Sequence, residues 1–321
     1  MSVAAWLLVV ALFGSGVWLW TPDKDRAELE ALYAGPASEF VDVLGVRMHV
    51  RDSAYAGGPL GHAPPGAQSD ATAARPTLVL LHGFGSSLHT WEAWAQALAA
   101  THRVIRIDLP GAGLTGADPT GDYSDERGIA LLTALLDERG VARASFVGHS
   151  MGGRLAWRCA AAQPQRVDKL VLVAPDGFAS PGFEYGKPPE VGMMVKLMQF
   201  ALPKPLLRMS LAPAYADPAA ATDERVTRYH DMMLAPQVRP ALIARMQQLV
   251  LQDPVPLLRT ITAPTLLLWG EKDAMIPVTN AQDYLRALPR ARLVVLPGVG
   301  HVPHEEAPMA ALPAVQAFLR E

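Results

Sequence analysis

The chain is poor in cysteine and in charge. Cys159 is the one cysteine in 321 residues, so no internal disulfide can form, and no Cys/His cluster shows zinc spacing. Cysteine usage therefore says nothing about the compartment, and no metal site is expected. Charged residues make up 18% of the chain and the net charge is only -3. No Lys/Arg cluster is present, which argues against a nucleic-acid partner. With 50% hydrophobic residues, the composition suits one large globular domain, or a domain with an insertion.

Charge is missing altogether from "VAAWLLVVALFGSGVWLW", Val3 to Trp20. As a helix this run would extend roughly 27 Å, close to the hydrocarbon thickness of a bilayer. Trp18 and Trp20 fall where an interfacial aromatic belt would lie. No Lys or Arg precedes the run, and "VWLW" offers no small-x-small cleavage site. Residues 1–22 are therefore expected to form an uncleaved membrane anchor, in a bacterial inner membrane or its equivalent. A cleaved signal peptide with a secreted or periplasmic product, or a helix used in oligomer contacts, are the alternatives. Lys24 and Arg26 are mixed with Asp23, Asp25 and Glu28, so the orientation stays open, as does the oligomeric state.

After a polar linker helix over Asp23 to Tyr33, "EFVDVLGVRMHVRDS" alternates apolar and polar residues around Gly45 and reads as a β-hairpin. The Gly-, Pro- and Ala-rich stretch from Ala56 to Pro76 reads as a loop. From Thr77 apolar strand-like runs alternate with amphipathic helices: "TLVLLH", "RVIRIDLPG", "ASFVG", "KLVLVAP", "PTLLLWG" and "ARLVVLPG" carry the strand pattern. That rhythm predicts an α/β fold, a mostly parallel doubly wound sheet covered on both faces. It breaks between Pro175 and about Pro264, where Pro-rich turns and helical pieces hold Met193, Met194, Met198, Met209, Met232, Met233 and Met246, seven of the twelve methionines. The expected division is a core over 38–175 and 262–321, with a helical cap over 176–261. Methionine fills irregular cores and also lines adaptable apolar pockets, so the cap is read either as packing or as an acyl-binding surface. Trp91 and Trp94 are read as core.

The chemistry concentrates in "FVGHSMGG", Phe146 to Gly153. Ser150 falls between a strand and a helix, at the carboxyl edge of a parallel sheet where sites form. A turn this tight leaves no room for side chains at Gly148 and Gly152, and it aims the free N–H groups of the helix start at the serine. A hydroxyl needs a base, and the base an orienting acid. Later strand ends supply both: Asp273 in "LLLWGEKDAMIP" and His301 in "VVLPGVGHVPHEE". Asp176, after "KLVLVAP", is the competing acid. His304 competes with His301 but is read as a packing or capping residue, His82 as structural, and His149 as a packing or pocket-lining residue. Asp108 and Asp118 are read as loop-ordering. The Gly-rich turn "LLHGFGSS" leaves the N–H of Phe84 free to point inward, and the N–H of Met151 is a second candidate oxyanion donor.

"HGFG", "DLPGAG", "GHSMGG", "WGEKDAMIP" and "GVGHVPHEEAP" occur in this order, and with them the chain resembles the α/β-hydrolase superfamily from about Phe40 to its C-terminus. The N-terminal apolar run and the long Gly/Pro loop depart from that pattern. The resemblance implies a cofactor-free hydrolase with Ser150 as nucleophile, His301 as base, Asp273 as acid, and Phe84 and Met151 as backbone donors. A serine at 150 argues against dehalogenase and epoxide-hydrolase chemistry. The expected activity is hydrolysis of a small-molecule carboxylic ester, lipid-like if the cap reads acyl chains. The alternatives are a carbon–carbon bond hydrolase, an acyltransferase or haloperoxidase-like use of the same triad, a silent binding protein on the same fold, or a membrane-anchored scaffold.

Overall fold

The computed structural model describes residues 20–54 and 74–321. All but the last three residues of the expected anchor over 1–22, and most of the Gly/Pro-rich stretch, lie outside the described residues. Among those described, no helix is long and apolar enough to cross a membrane.

The polar linker forms helix α1 (Arg26–Tyr33), started by Asp25, whose carboxylate accepts from the N–H groups of Ala27 and Glu28. Strands β1 (Ser38–Val43) and β2 (Val46–Asp52) form the hairpin. Its two-residue loop, Leu44 and Gly45, has positive φ at both positions, the twist-matched geometry for such a turn. Then follow β3 (Thr77–Leu81), α2 (Glu92–Leu98), β4 (Arg103–Ile107), α3 (Asp125–Glu138), β5 (Ala144–His149), α4 (Met151–Ala162) and β6 (Val167–Val173). Gly140, left-handed at φ 65°, ends α3.

Between β6 and the next strand every regular element among the described residues is helical. They are α5 (Met193–Leu197), α6 (Lys204–Leu211), α7 (Asp223–Met233), α8 (Val238–Gln248) and α9 (Val255–Leu258), with short 3-10 turns. The sheet resumes with β7 (Thr265–Gly270), α10 (Thr279–Ala287), β8 (Ala291–Leu296), α11 (Pro303–Glu306) and α12 (Pro308–Arg320).

The eight strands run in the order β1-β2-β4-β3-β5-β6-β7-β8. The hairpin is antiparallel to itself and to β4, and all later pairs are parallel. Side chains alternate across the sheet. Val79, Leu81, Phe146, Leu170 and Leu172 face one core with Leu135, Trp157 and Tyr284 of the helices. Leu78, Leu80, Val147, Val171 and Leu268 face the other with Trp94, Val315 and Phe318. Trp91 and Trp94 are fully buried there. Burying each such large apolar side chain contributes ~1.5–3 kcal/mol. Both cores press on the central strands, and this fixes the sheet's carboxyl edge.

The cap has its own small core, in which Met232 and Met233 pack with Leu202, Leu207, Tyr229 and Leu242. Met193, Met194 and Met209 are instead well exposed. These methionines thus divide between cap packing and the outer surface.

The closest packing lies where α4 leaves β5. A Cβ at Gly148 would sit 2.3 Å from the carbonyl oxygen of Gly152, and one at Gly152 would sit 2.3 Å from that of Leu81. Gly153 is also hemmed in, with a Cβ 2.8 Å from that of Pro175. The obstacles are backbone atoms, of α4 at Gly148 and of the end of β3 at Gly152, and cannot move aside. At Gly298, with φ 68°, a Cβ would meet open space. Gly152→Ala is therefore expected to lose more than ~3 kcal/mol or to yield no folded protein, and Gly298→Ala to lose about 1 kcal/mol for its left-handed backbone alone. Urea denaturation midpoints compare them; a Gly152→Ala variant as stable as Gly298→Ala would contradict the close approach.

Candidate active site

Ser150 occupies the turn between β5 and α4 with φ 51° and ψ -119°, a backbone region that a non-glycine residue holds only when its surroundings impose it. Here they do. Its N–H donates to the carbonyl of Val173 at 3.0 Å, and its own carbonyl accepts from the N–H groups of Arg154 and Asp176, each at 3.0 Å. The neighbouring strand, the new helix and the loop after β6 all grip the same residue.

His301 arrives from the loop after β8. Its Nδ1 donates to Oδ2 of Asp273 at 2.7 Å. The other carboxylate oxygen of Asp273 accepts from the N–H groups of Met275 and Ile276 at 2.9 and 2.8 Å, so neither oxygen is free to rotate away. With the Nδ1 proton committed, Nε2 is the ring's acceptor. The two loops cross closely: a Cβ on Gly270 would sit 2.0 Å from the carbonyl oxygen of Gly300.

Ser150, His301, Phe84 and Met151 line one cavity of about 370 Å³, within the range of ligand pockets. Met151 is the first residue of α4, so its N–H has no intrahelical acceptor. Neither this N–H nor that of Phe84 has a partner among the described residues. The turn bearing Phe84 is braced from below: His82 donates from Nδ1 to the carbonyl of Gly83 at 2.8 Å and accepts the N–H of Leu109 at Nε2 at 2.9 Å. Asp108 accepts the N–H groups of Leu88 and Leu114 at 2.7 and 2.8 Å. Burial would raise the pKa of Asp108, but the adjacent His49 ring holds its carboxyl well below the usual carboxylate range. Asp118 is bound by Arg127 and Thr120. His82, Asp108 and Asp118 thus order loops.

Asp176 also borders the cavity, but its ion pair is with Arg154, Nη1 to Oδ2 at 3.9 Å. It does not meet His301. Burial pushes its carboxyl above the usual range, with Arg154 opposing. His149 does not line the cavity. It lies beneath, where Nε2 donates to the backbone carbonyl of His301 at 3.0 Å, and its buried Nδ1 has no partner. His304 stacks on Trp91, ring centroids 4.2 Å apart, and leans on His149 at 4.6 Å. Burial, then the neighbouring histidines, hold His149 well below the ordinary histidine value; burial first and His301 second bring His304 to about 3.

Pattern reading missed three features here. His149 props the His301 backbone. Glu306 bridges the cap and the histidine loop, accepting from the N–H of Gly300 at 2.7 Å and from those of Ala216 and Asp217 at 2.8 and 3.1 Å. The N–H of His301 donates to the cap carbonyl of Ala214 at 2.8 Å. A second Ser–His–Asp set was also invisible: Ser38 Oγ lies 2.8 Å from His49 Nε2, and His49 Nδ1 2.7 Å from Asp108. All three residues are buried and none lines the cavity, so this set braces β1 against the loop after β4.

A serine at a sheet edge, an oriented imidazole and two unpaired N–H groups are the parts that acyl transfer needs. The model of the alpha/beta hydrolase fold matches residues 76–308, and the chain belongs to that family. Over 250 residues it is 35% identical to the dihydrolipoyllysine-residue acetyltransferase component of the acetoin cleaving system of Pseudomonas putida, covering 76% of this chain and 63% of that protein. Over 246 residues it is 31% identical to 2-hydroxy-6-oxononadienedioate/2-hydroxy-6-oxononatrienedioate hydrolase of Cupriavidus pinatubonensis, covering 73% and 83%. Two solved structures are alike: a bacterial membrane phospholipase A (TM-score 0.70, 24% identity, 99% and 96% covered) and a hydrolase of Pseudomonas aeruginosa (TM-score 0.71, 25%, 88% and 98%).

The buried histidines have a consequence for stability. In the unfolded chain they take up protons near pH 6.5; in the folded chain they resist protonation. The unfolded state therefore binds more protons as the pH falls, and stability declines from about pH 6.5 down towards the folded values. His304→Phe keeps a ring against Trp91 and removes the titration. Between pH 7 and 4.5 its Tm is expected to fall less than that of the wild type, by the equivalent of up to about 1.4 kcal/mol per pH unit. Parallel Tm curves would contradict a buried, neutral His304.

Proposed function

We propose that this chain is a serine hydrolase that cleaves carboxylic esters with a lipophilic part through an acyl-enzyme on Ser150. The observation that carries the reading is the 2.7 Å bond from His301 Nδ1 to Asp273, in a histidine that lines one cavity with Ser150 and with Phe84 and Met151, whose backbone N–H groups are unpaired among the described residues. Ser150 Oγ attacks the ester carbonyl as its proton passes to His301 Nε2. Asp273 stabilises the imidazolium through the Nδ1 proton. The N–H groups of Phe84 and Met151 take the oxyanion. Collapse expels the alcohol, which carries off the proton from His301. A water then attacks the acyl carbonyl, giving its proton to His301, and Ser150 regains that proton on release of the acid. No step requires a cofactor.

An apolar wall of Phe183, Met246, Leu249, Val250, Met275 and Ile276 favours a lipophilic acyl or alcohol group. A lipid-facing site follows if residues 1–22 anchor the chain. The charge-free run ends at Trp20, which stacks on the exposed cap residue Phe200 at 6.0 Å, close in sequence to the exposed Met193 and Met194.

One relative supports a second reading. The Cupriavidus pinatubonensis protein is named for carbon–carbon cleavage substrates, and the same serine and base suit that chemistry.

The test is turnover of nitrophenyl esters from short to long chain by the full chain and by Ser150→Ala. Ester turnover is expected to rise with chain length, to sediment with membranes, and to drop by about 10⁴-fold or more in Ser150→Ala at unchanged Tm. Retained turnover in that variant would sink the mechanism. Cleavage of a 2-hydroxy-6-oxo-dienoate with none of the esters would favour the second reading.

A further inference from the structure

Part of the cavity wall is charged, and the mechanism uses none of that charge. Arg154 and Arg158 of α4 and Arg245 of α8 all line this part. Three carboxylates share this wall, and their pairing is uneven. Asp125 takes both Arg154, at 3.0 and 2.7 Å, and Arg158, at 3.0 Å. The exposed Glu126 takes Arg158 at 2.9 Å. Asp176 lies 3.9 Å from Nη1 of Arg154, and that buried nitrogen has no hydrogen-bond partner. Arg245 has no carboxylate within ion-pair distance among the described residues. Its contacts are the carbonyl oxygen of Pro110 at 2.6 Å and the ring of Tyr123, 5.0 Å from the guanidinium carbon. Burial first, and Arg154 to a smaller extent, lower Arg245 to about 10 against the opposing pull of Tyr123, Asp125 and Asp118, and at neutral pH it remains a cation. Arg245 is half-buried with no carboxylate in ion-pair reach among the described residues, so an anion in the cavity can pair with it, and its planar fork suits carboxylate or phosphate oxygens.

We propose that Arg245 and the free Nη1 of Arg154 form an anion subsite in the catalytic cavity, and that the substrate is an ester carrying a separate carboxylate or phosphate group. The reacting bond in this proposal rests on the ester-hydrolase reading above; the subsite itself does not.

Two matched pairs of substrates test it on the full chain. In 4-nitrophenyl hydrogen adipate against 4-nitrophenyl hexanoate the anion ends the acyl chain. In hexanoylglycerol phosphate against hexanoylglycerol it sits on the alcohol. Wild type, Arg245→Met and Arg245→Lys are compared. The wild type is expected to prefer the anionic member of one pair, which identifies the source of the anion. In that pair Arg245→Met should lower the anionic-to-neutral ratio of kcat/KM by about 10-fold or more, with Arg245→Lys restoring part of it. A wild-type preference for the neutral member of both pairs overturns the proposal. So does an equal fall on both members in Arg245→Met, the result given by a residue that only ties the cap to Pro110. If no ester is turned over, the ester reading fails and the subsite is decided by calorimetry with monomethyl adipate and glycerol 3-phosphate. Binding lost in Arg245→Met supports it, and no binding of either anion to the wild type overturns it.

Discussion

Everything at the sheet edge depends on how closely α4 approaches the central strands. A helix start packed this near β3 and β5 leaves no space for side chains at Gly148 or Gly152, where a Cβ would come within 2.3 Å of backbone oxygens. The same approach forces Ser150 into a strained conformation and leaves the N–H of Met151 without an acceptor. Hydroxyl exposure and an available donor are two results of one steric constraint. Two hydrophobic cores, one on each face of the sheet, hold that constraint in place.

The remaining parts are brought in by loops that touch one another. The turn at Gly270 passes against Gly300, which sets Asp273 beside His301. The His301 loop is held from below by His149 and from above by the cap, through Ala214 and Glu306. Asp273 therefore orients the ring, while the cap and His149 orient the backbone that carries it. The buried Ser38–His49–Asp108 set shows what such an arrangement lacks without a cavity. Its His–Asp bond is as short as that of His301 and Asp273, both 2.7 Å, but its serine is buried and lines no part of the cavity.

Most of the fold was legible because it rests on local pattern. Apolar runs of strand length alternate with helical periods, the left-handed Gly45 and Gly140 mark a hairpin and a helix end, and Ser150, Asp273 and His301 follow strand ends in order. Asp273 is preferred to Asp176 from order alone, and of the two it is Asp273 that is hydrogen-bonded to His301, while Asp176 faces Arg154. Other features had no local signal. The strut from His149, the bridge made by Glu306 and the unpaired Arg245 depend on residues brought together across 152, 90 and 135 positions of chain. The seven cap methionines read as one group, yet their places differ. Met232 and Met233 fill the cap core, Met246 meets the cavity, and Met193, Met194 and Met209 face outward. Composition cannot make that division; it is set by which helix face meets which neighbour.

The central claim is that Ser150 is armed by the His301–Asp273 pair within this turn. Labelling the full chain with a fluorophosphonate and mapping the adduct by mass spectrometry tests it most directly. The account predicts one adduct, on Ser150, formed at least about 100-fold more slowly in Asp273→Asn, where the imidazole loses the group that fixes its tautomer. Labelling of another residue, or an unchanged rate in Asp273→Asn, would contradict it.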